Sequence, residues 1–217
     1  MAQTPFMPAF EHLPKTLPIF PLEGAVVMPG ADLPLNIFEP RYLNLVADAM
    51  ASHRMFGMMQ PDPSKTAQPE AVFQTGCAGR ITRYQETRDG RIELDLTGIC
   101  RFRIREELAS MRGYRLVVPD WEPFRIDYAE QQQRIQHRER LFGLLKTYFL
   151  SRQFKTDWDS LTSIPPEHLV NTLTTALPLG NLEKQALLEA ISPQDRVDTL
   201  IAALEMQTNE PHSAPRH

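Results

Sequence analysis

Residues 92–105 read Ile-Glu-Leu-Asp-Leu-Thr-Gly-Ile-Cys-Arg-Phe-Arg-Ile-Arg. Ile92, Leu94 and Leu96 alternate with Glu93, Asp95 and Thr97. Beyond Gly98, Cys100, Phe102 and Ile104 alternate with Arg101, Arg103 and Arg105. A period of two sends successive side chains to opposite faces of a strand, so each half has one dry and one wet face. Two geometries satisfy this pattern. In a hairpin with a three-residue loop at Thr97-Gly98-Ile99, Leu94 faces Phe102 inside, while Asp95 opposes Arg101 and Glu93 opposes Arg103 outside, pairs worth roughly 0.2–1 kcal/mol each. In the other, one strand bends at Gly98 and pairs with different neighbours.

Upstream, the chain keeps β character broken by Pro and Gly. Leu17–Leu22 and Ala25–Met28 read as strand pieces ended by Pro29-Gly30, and their prolines place them at an edge or bend. Leu33–Phe38 is a further strand. Pro40 then suits the first position of a helix, since its missing N–H costs nothing there, and Tyr42, Leu45, Val46, Ala49 and Met50 carry the helix to about Ser52. Met55–Gln60 returns to a strand, 61–68 (PDPSKTAQ) is a mobile loop, and Val72–Gln85 is a long strand before the Asp89-Gly90 turn. Gly113–Val118 is the last strand, ended by Pro119.

Beyond Pro123 the period becomes 3.6. Ile135, Leu141, Phe142, Leu145, Tyr148 and Phe149 form the stripe of a helix from about Asp127 to Leu150, and a short turn follows at Trp158 and Leu161. Pro165-Pro166 opens a helix with Leu169, Val170, Leu173 and Leu177 inside. Asn181 caps the next, with Leu182, Ala186, Leu187 and Ile191 inside. Ser192-Pro193-Gln194-Asp195 opens the last, carrying Val197, Leu200, Ile201 and Leu204. The organisation expected is a flexible lead-in (1–14), a β unit with one helix (15–122), a helical bundle (123–207) and a disordered polar tail (208–217).

The chain of 217 residues is 42% hydrophobic and 23% charged, a globular balance with room for a core. Its formal net charge of -4 supplies no general pull toward nucleic acid or anionic membrane. No apolar run approaches the ~18 residues of a membrane span, and the N-terminus lacks the pattern of a secretory signal. Cys77 and Cys100 have no metal-ligand or CxxC spacing. Cytoplasmic residence with reduced thiols is the expectation.

Residues 17–50 (LPIFPLEGAVVMPGADLPLNIFEPRYLNLVADAM) resemble the opening of the Lon protease N-terminal domain family. The resemblance rests on the LPIFPL strand, Pro29-Gly30, and Leu35-Asn36-Ile37-Phe38-Glu39-Pro40-Arg41-Tyr42 running into a helix. Gly76–Ile81 and Leu96–Ile104, with Gly98 inside, follow in the family's order, and the Gln185–Glu189 segment resembles its helical half. It implies an α+β fold: a PUA-like antiparallel β-barrel followed by an α-helical bundle. It further implies a non-catalytic protein- or peptide-binding module linked to protein quality control or proteolysis. Its partners would be unfolded or degron-bearing polypeptides, with a separate protease as a further candidate partner. The sequence departs from the full-length proteases in lacking a P-loop, since no glycine precedes a lysine, and in lacking the Ser–Lys protease segment. Catalysis, cofactors and metals are therefore not expected.

The residues themselves agree. There is no G-x-S-x-G and no H-E-x-x-H, and His12, His53, His137 and His168 lie far apart. Glu39 and Arg41 invite a catalytic reading, but with no base, nucleophile or metal beside them a structural one is preferred: Phe38, Glu39, Pro40, Arg41 and Tyr42 shape a strand-to-helix junction, the carboxylate near helix N–H groups and Tyr42 inward. Met50, Met55, Met58 and Met59 could line an adaptable surface; core packing is the preferred role. Residues 80–115 hold nine arginines against six carboxylates. Arg101, Arg103 and Arg105 therefore support an alternative, RNA binding by an Arg-rich sheet, weighed against a solvated, self-paired face.

Overall fold

The computed structural model describes residues 7–65, 70–109, 112–129 and 136–209. Six strands build the first half: β1 (Leu17–Pro21), β2 (Asp32–Ile37), β3 (Met55–Met59), β4 (Thr75–Glu86), β5 (Ile92–Leu108) and β6 (Arg115–Asp120). The sheet order is β2-β5-β4-β3-β1-β6, and β5 also pairs with β6, so the hydrogen-bonded circuit returns to β5. All pairs are antiparallel except β1 with β3, which run parallel with Ile19 opposite Gly57. The 11 residues of α1 (Pro40–Met50) make the crossover between β2 and β3, with Pro40 in the first turn and Tyr42, Leu45, Val46 and Ala49 buried.

The hairpin at Thr97–Ile99 does not form: β5 is one 17-residue strand. Ala78 opposes Cys100 whereas Gly79 opposes Gly98, so Ile99 is the extra residue of a bulge. The bulge moves the dry face from Leu94 and Leu96, which pack in one core cluster, to Cys100 and Phe102, which pack in another. This bend also lets one strand serve three neighbours, pairing with β4 from Ile92 to Arg103 along one edge, and with β2 over residues 92–97 and β6 over 103–108. Gly98 is required where β5 passes the Met28–Gly30 turn. Its N–H donates to Ala31 O (2.9 Å), its carbonyl accepts from Gly30 N (2.9 Å), and any Cβ would collide with the Met28 carbonyl.

Val26, Val27 and Met28 are buried without being a strand: their side chains pack in the β-half core, and Met28 N donates to Thr175 Oγ1 (3.2 Å) in place of a ladder partner. Pro119 lies within β6 and does not end it. A 3-10 segment, Glu122–Tyr128, packs Phe124 into the β core, so the change of period at residue 123 precedes the change of unit. The bundle comprises α2 (Arg138–Ser151), α3 (Trp158–Ser163), α4 (Pro166–Ala176), α5 (Asn181–Glu189) and α6 (Pro193–Asn209). The long helix expected from Asp127 is thus the 3-10 segment plus α2, and Ile135 lies outside the described residues. The expected tail is helical through Asn209, with 210–217 outside the described residues; of the expected loop, 66–68 lie outside them as well.

The stripes of α2, α4 and α6 bury together as their spacing predicts, around Leu145, Leu169, Leu200 and Leu204. Ser192 and Asp195 cap α6 reciprocally (3.0 and 3.2 Å). α5 departs from expectation. Gly180, not Asn181, is its N-cap, and its buried face carries Lys184, Gln185, Leu187 and Leu188, while Leu182 (64% exposed) and Ile191 face outward. The helix is rotated because one of its sides meets the β half through polar groups, a requirement invisible to apolar periodicity.

Candidate functional site

A cleft of about 280 Å³ opens beside the N-terminus of α1. The end of β1 contributes Pro21, the first turn of α1 contributes Arg41 and Tyr42, and Tyr114 lies just before Arg115, the first residue of β6. Pro61 and Val72, which bridge to each other, and Glu70 close the remaining side. The cleft therefore lies against the Phe38–Tyr42 junction and wholly within the β half.

That junction is built by an extended Glu39 (φ -71°, ψ 133°) leading into Pro40. The Glu39 carbonyl accepts the N–H groups of Tyr42 and Leu43, both at 2.9 Å. Its carboxylate makes no helix-cap bond and instead accepts from Arg41 Nε at 3.0 Å, so the expected contact with helix N–H groups is replaced by an ion pair. Tyr42 packs inward as expected, its ring centroid 4.1 Å from that of Phe20, and the Arg41 guanidinium lies 4.7 Å from its ring centroid. Burial pushes the Tyr42 phenol up from its ordinary value. Phe38 is 62% exposed, with Arg91 above its ring, so it is not a packing residue.

The far wall is held by charge. Arg115 donates to both carboxylate oxygens of Glu107 at 2.7 Å and to Glu70 O at 2.7 Å, tying β5, β6 and the segment at residue 70 together. The Arg115 guanidinium holds the Glu107 carboxyl below its usual range. Tyr114 donates to Asp48 on α1 at 2.7 Å; burial and that carboxylate push its phenol up to about 12. The sequence carried no sign of Tyr114, Arg115, Glu70, Pro61 or Val72 as a group, because they converge only when the sheet closes.

The arginine-rich sheet separates into unlike parts. Arg101 is fully buried, which corrects its assignment to a binding surface. It pairs with Asp127 at 2.8 Å and donates to the carbonyls of Leu188, Ala190 and Ile191 (3.1, 2.5 and 3.1 Å) at the end of α5, where the helix dipole favours a cation. Alternation placed Arg101 opposite Cys100 and Phe102, but the 3-10 segment and α5 cover that second face. Arg83 is tied to Asp95 (2.7 Å) and Arg91 to Asp89 (3.0 Å). Arg103 and Arg105 remain exposed, with no ion pair among the described residues. Three of the four methionines weighed as a surface, Met55, Met58 and Met59, are buried, and Met50 is partly so. Among the described residues, no group of three or more His, Cys, Asp or Glu side chains is placed to hold a metal, and no helix is long and apolar enough to cross a membrane.

A family model of the ATP-dependent protease La (LON) substrate-binding domain matches residues 16–205. The Lon protease of Dictyoglomus thermophilum is 25% identical over 201 residues, covering 86% of this chain and 24% of its own length. That of Heliobacterium modesticaldum is 26% identical over 213 residues, covering 90% and 25%. The chain thus spans about a quarter of the curated relatives it matches. A Lon N-terminal domain protein from Xanthomonas campestris has the same fold, with TM-score 0.63 and 24% identity over 86% of this chain and 97% of that one. The N-terminal domain of a Mycobacterium avium complex Lon protease superposes with TM-score 0.63 at 16% identity, over 88% and 98%.

Proposed function

Because the chain belongs to the ATP-dependent protease La (LON) substrate-binding domain family, we propose that it recognises polypeptides and holds them without acting on them, using the cleft beside α1. The observation that carries this is the position of the cleft: Arg41 and Tyr42, at the helix end of the family-like junction, form one of its walls. Its surface suits an extended segment. Pro21, Pro61, Val72 and the tyrosine rings offer apolar walls, and Arg41 with Arg115 offers donors to a peptide carbonyl. Both guanidiniums are already committed to carboxylates, Glu39 and Glu107, which favours a binding role over acid–base work.

The free edge of β2 is a poorer receiver. Ala31 O faces β5, so by alternation residues 32, 34 and 36 direct their backbone outward. Pro34 has no N–H there, and a proline on an edge strand blunts strand addition. The setting we propose is cytoplasmic, with unfolded or degron-bearing chains as clients and a separate protease as their recipient in protein quality control. The RNA-binding alternative loses its central residue with Arg101 buried, and no observation favours it.

Binding of a fluorescently labelled, permanently unfolded model protein tests the reading. Ala71→Trp, which fills the cleft from a partly exposed position, should weaken that binding at least about tenfold, the equivalent of ~1.4 kcal/mol, while leaving the thermal midpoint unchanged. Equal binding by both proteins would move the site elsewhere; no binding by either would remove the function.

A further inference from the structure

Most polar groups of the cleft beside α1 are already engaged. Arg41 donates to Glu39, Arg115 to both carboxylate oxygens of Glu107, and the Tyr114 hydroxyl to Asp48. Two lining groups remain open. Glu70 accepts from Arg115 through its backbone carbonyl, but its carboxylate has no hydrogen bond or ion pair among the described residues. The charge of that carboxylate acts on both the Tyr42 phenol and the Arg115 guanidinium, so it stands at the cleft. Tyr42 is only 6% exposed and lines the same space, yet its hydroxyl has no hydrogen-bond partner among the described residues. A hydroxyl so enclosed and unpaired is an exception that calls for a partner.

The charges of the cleft do not cancel. Two guanidiniums, Arg41 and Arg115, meet three carboxylates, Glu39, Glu70 and Glu107. The stretches that adjoin the cleft in sequence, 66–69 and 110–111, contain no charged side chain to offset the difference. What is left open is one negative charge and one neutral acceptor.

We infer that the cleft selects a cationic side chain, lysine or arginine, of the polypeptide it holds, with Glu70 as counter-ion and the Tyr42 hydroxyl as a second acceptor. The inference rests on the binding role proposed for the cleft and adds what the cleft prefers. Pro21, Pro61, Val72 and the Tyr114 ring wall the methylene stem of such a side chain, while its charged end stays near water and Glu70. At about 280 Å³ the cleft stands at the small end of ligand pockets, ~300–1,000 Å³, which suits one long side chain. An acidic side chain meets the opposite situation, because both guanidiniums already hold carboxylates and the unpaired charge repels it.

Fluorescence anisotropy with three labelled, extended peptides, identical except for a central Lys, Gln or Glu, tests this. The Lys peptide should bind about threefold tighter than the Gln peptide, the scale of a solvent-exposed ion pair, and the Glu peptide most weakly. All three should weaken in Ala71→Trp, which places them in the cleft. In Glu70→Gln the Lys-to-Gln ratio should fall to about one, and in Tyr42→Phe it should fall part of the way. Glu139→Gln removes the same charge from α2, in the other half, and should keep the ratio. A ratio of one in the wild type, a ratio kept in Glu70→Gln, or one lost equally in Glu139→Gln would overturn the inference and leave the cleft a binding site. An unchanged ratio in Tyr42→Phe would overturn the part given to the hydroxyl. Binding by none of the peptides, or binding indifferent to Ala71→Trp, would remove the proposed role of the cleft and this preference with it.

Discussion

Gly98 and Arg101 stand three residues apart on one strand and are constrained in opposite ways. Gly98 has no room for a methyl group against the Met28 carbonyl, so Gly98→Ala should destabilise the protein by about 1–3 kcal/mol, read as a lower urea midpoint at unchanged slope. Arg101 has no water to fall back on. Asp127→Asn would leave its cation buried beside Arg196, whose own guanidinium burial already pushes down to about 10. A cost of roughly 3–5 kcal/mol is expected in the same denaturation experiment. Arg101→Lys should also destabilise, since one ammonium cannot span Asp127 and three carbonyls. The sequence left Gly98 either in a hairpin loop or at a bend, and showed Arg101 as one of a surface row. Alternation could not choose between the first two, since it does not say which strand pairs with which. The surface reading failed because nothing local says what covers the outer face of a strand.

Among the elements, the helices separate pattern from circumstance. The stripes of α4 and α6 were legible because each buries one apolar face in one core. α5 was not, since half of its hidden face is Lys184 and Gln185 bonded across to the β half. Two substitutions in α5 distinguish the apolar pattern from the observed orientation. Leu188→Ala should cost about 2–5 kcal/mol by leaving a cavity, while Leu182→Ser should change stability by no more than ~0.5 kcal/mol. Comparable losses from both, measured by thermal unfolding, would refute the orientation described for this helix. The Phe38–Tyr42 junction behaves likewise. Its conformation was readable from Pro40 and the following helical spacing, but its contribution to a cleft depends on β6 and the segment at residue 70.

For the molecule as a whole, acid is the informative perturbation. Asp95 and Glu107 are held below their ordinary values of 3.8 and 4.5 by Arg83 and Arg115. A carboxyl with a lowered folded-state pKa stabilises the fold above its unfolded value and loses that contribution as pH falls through the folded one. Stability should therefore hold from neutral pH to about pH 5 and decline below pH 4, followed as the urea midpoint against pH. Glu107→Gln should flatten part of that decline, and its effect should fade with added salt because the pair is half exposed. The buried thiols report the same transition, with Cys77 and Cys100 expected to react with a thiol reagent only as the protein unfolds.

The sequence by itself determined the α+β class, most strand and helix positions, and the kinship that points to recognition, because periodicity, proline and glycine act over a few residues. Tertiary structure alone decided that β5 is a single bulged strand closing the sheet, that Arg101 is interior, that α5 turns a polar side inward, and that five distant segments make a cleft. Each of these depends on which surface meets which across tens of residues, and local spacing carries no record of that.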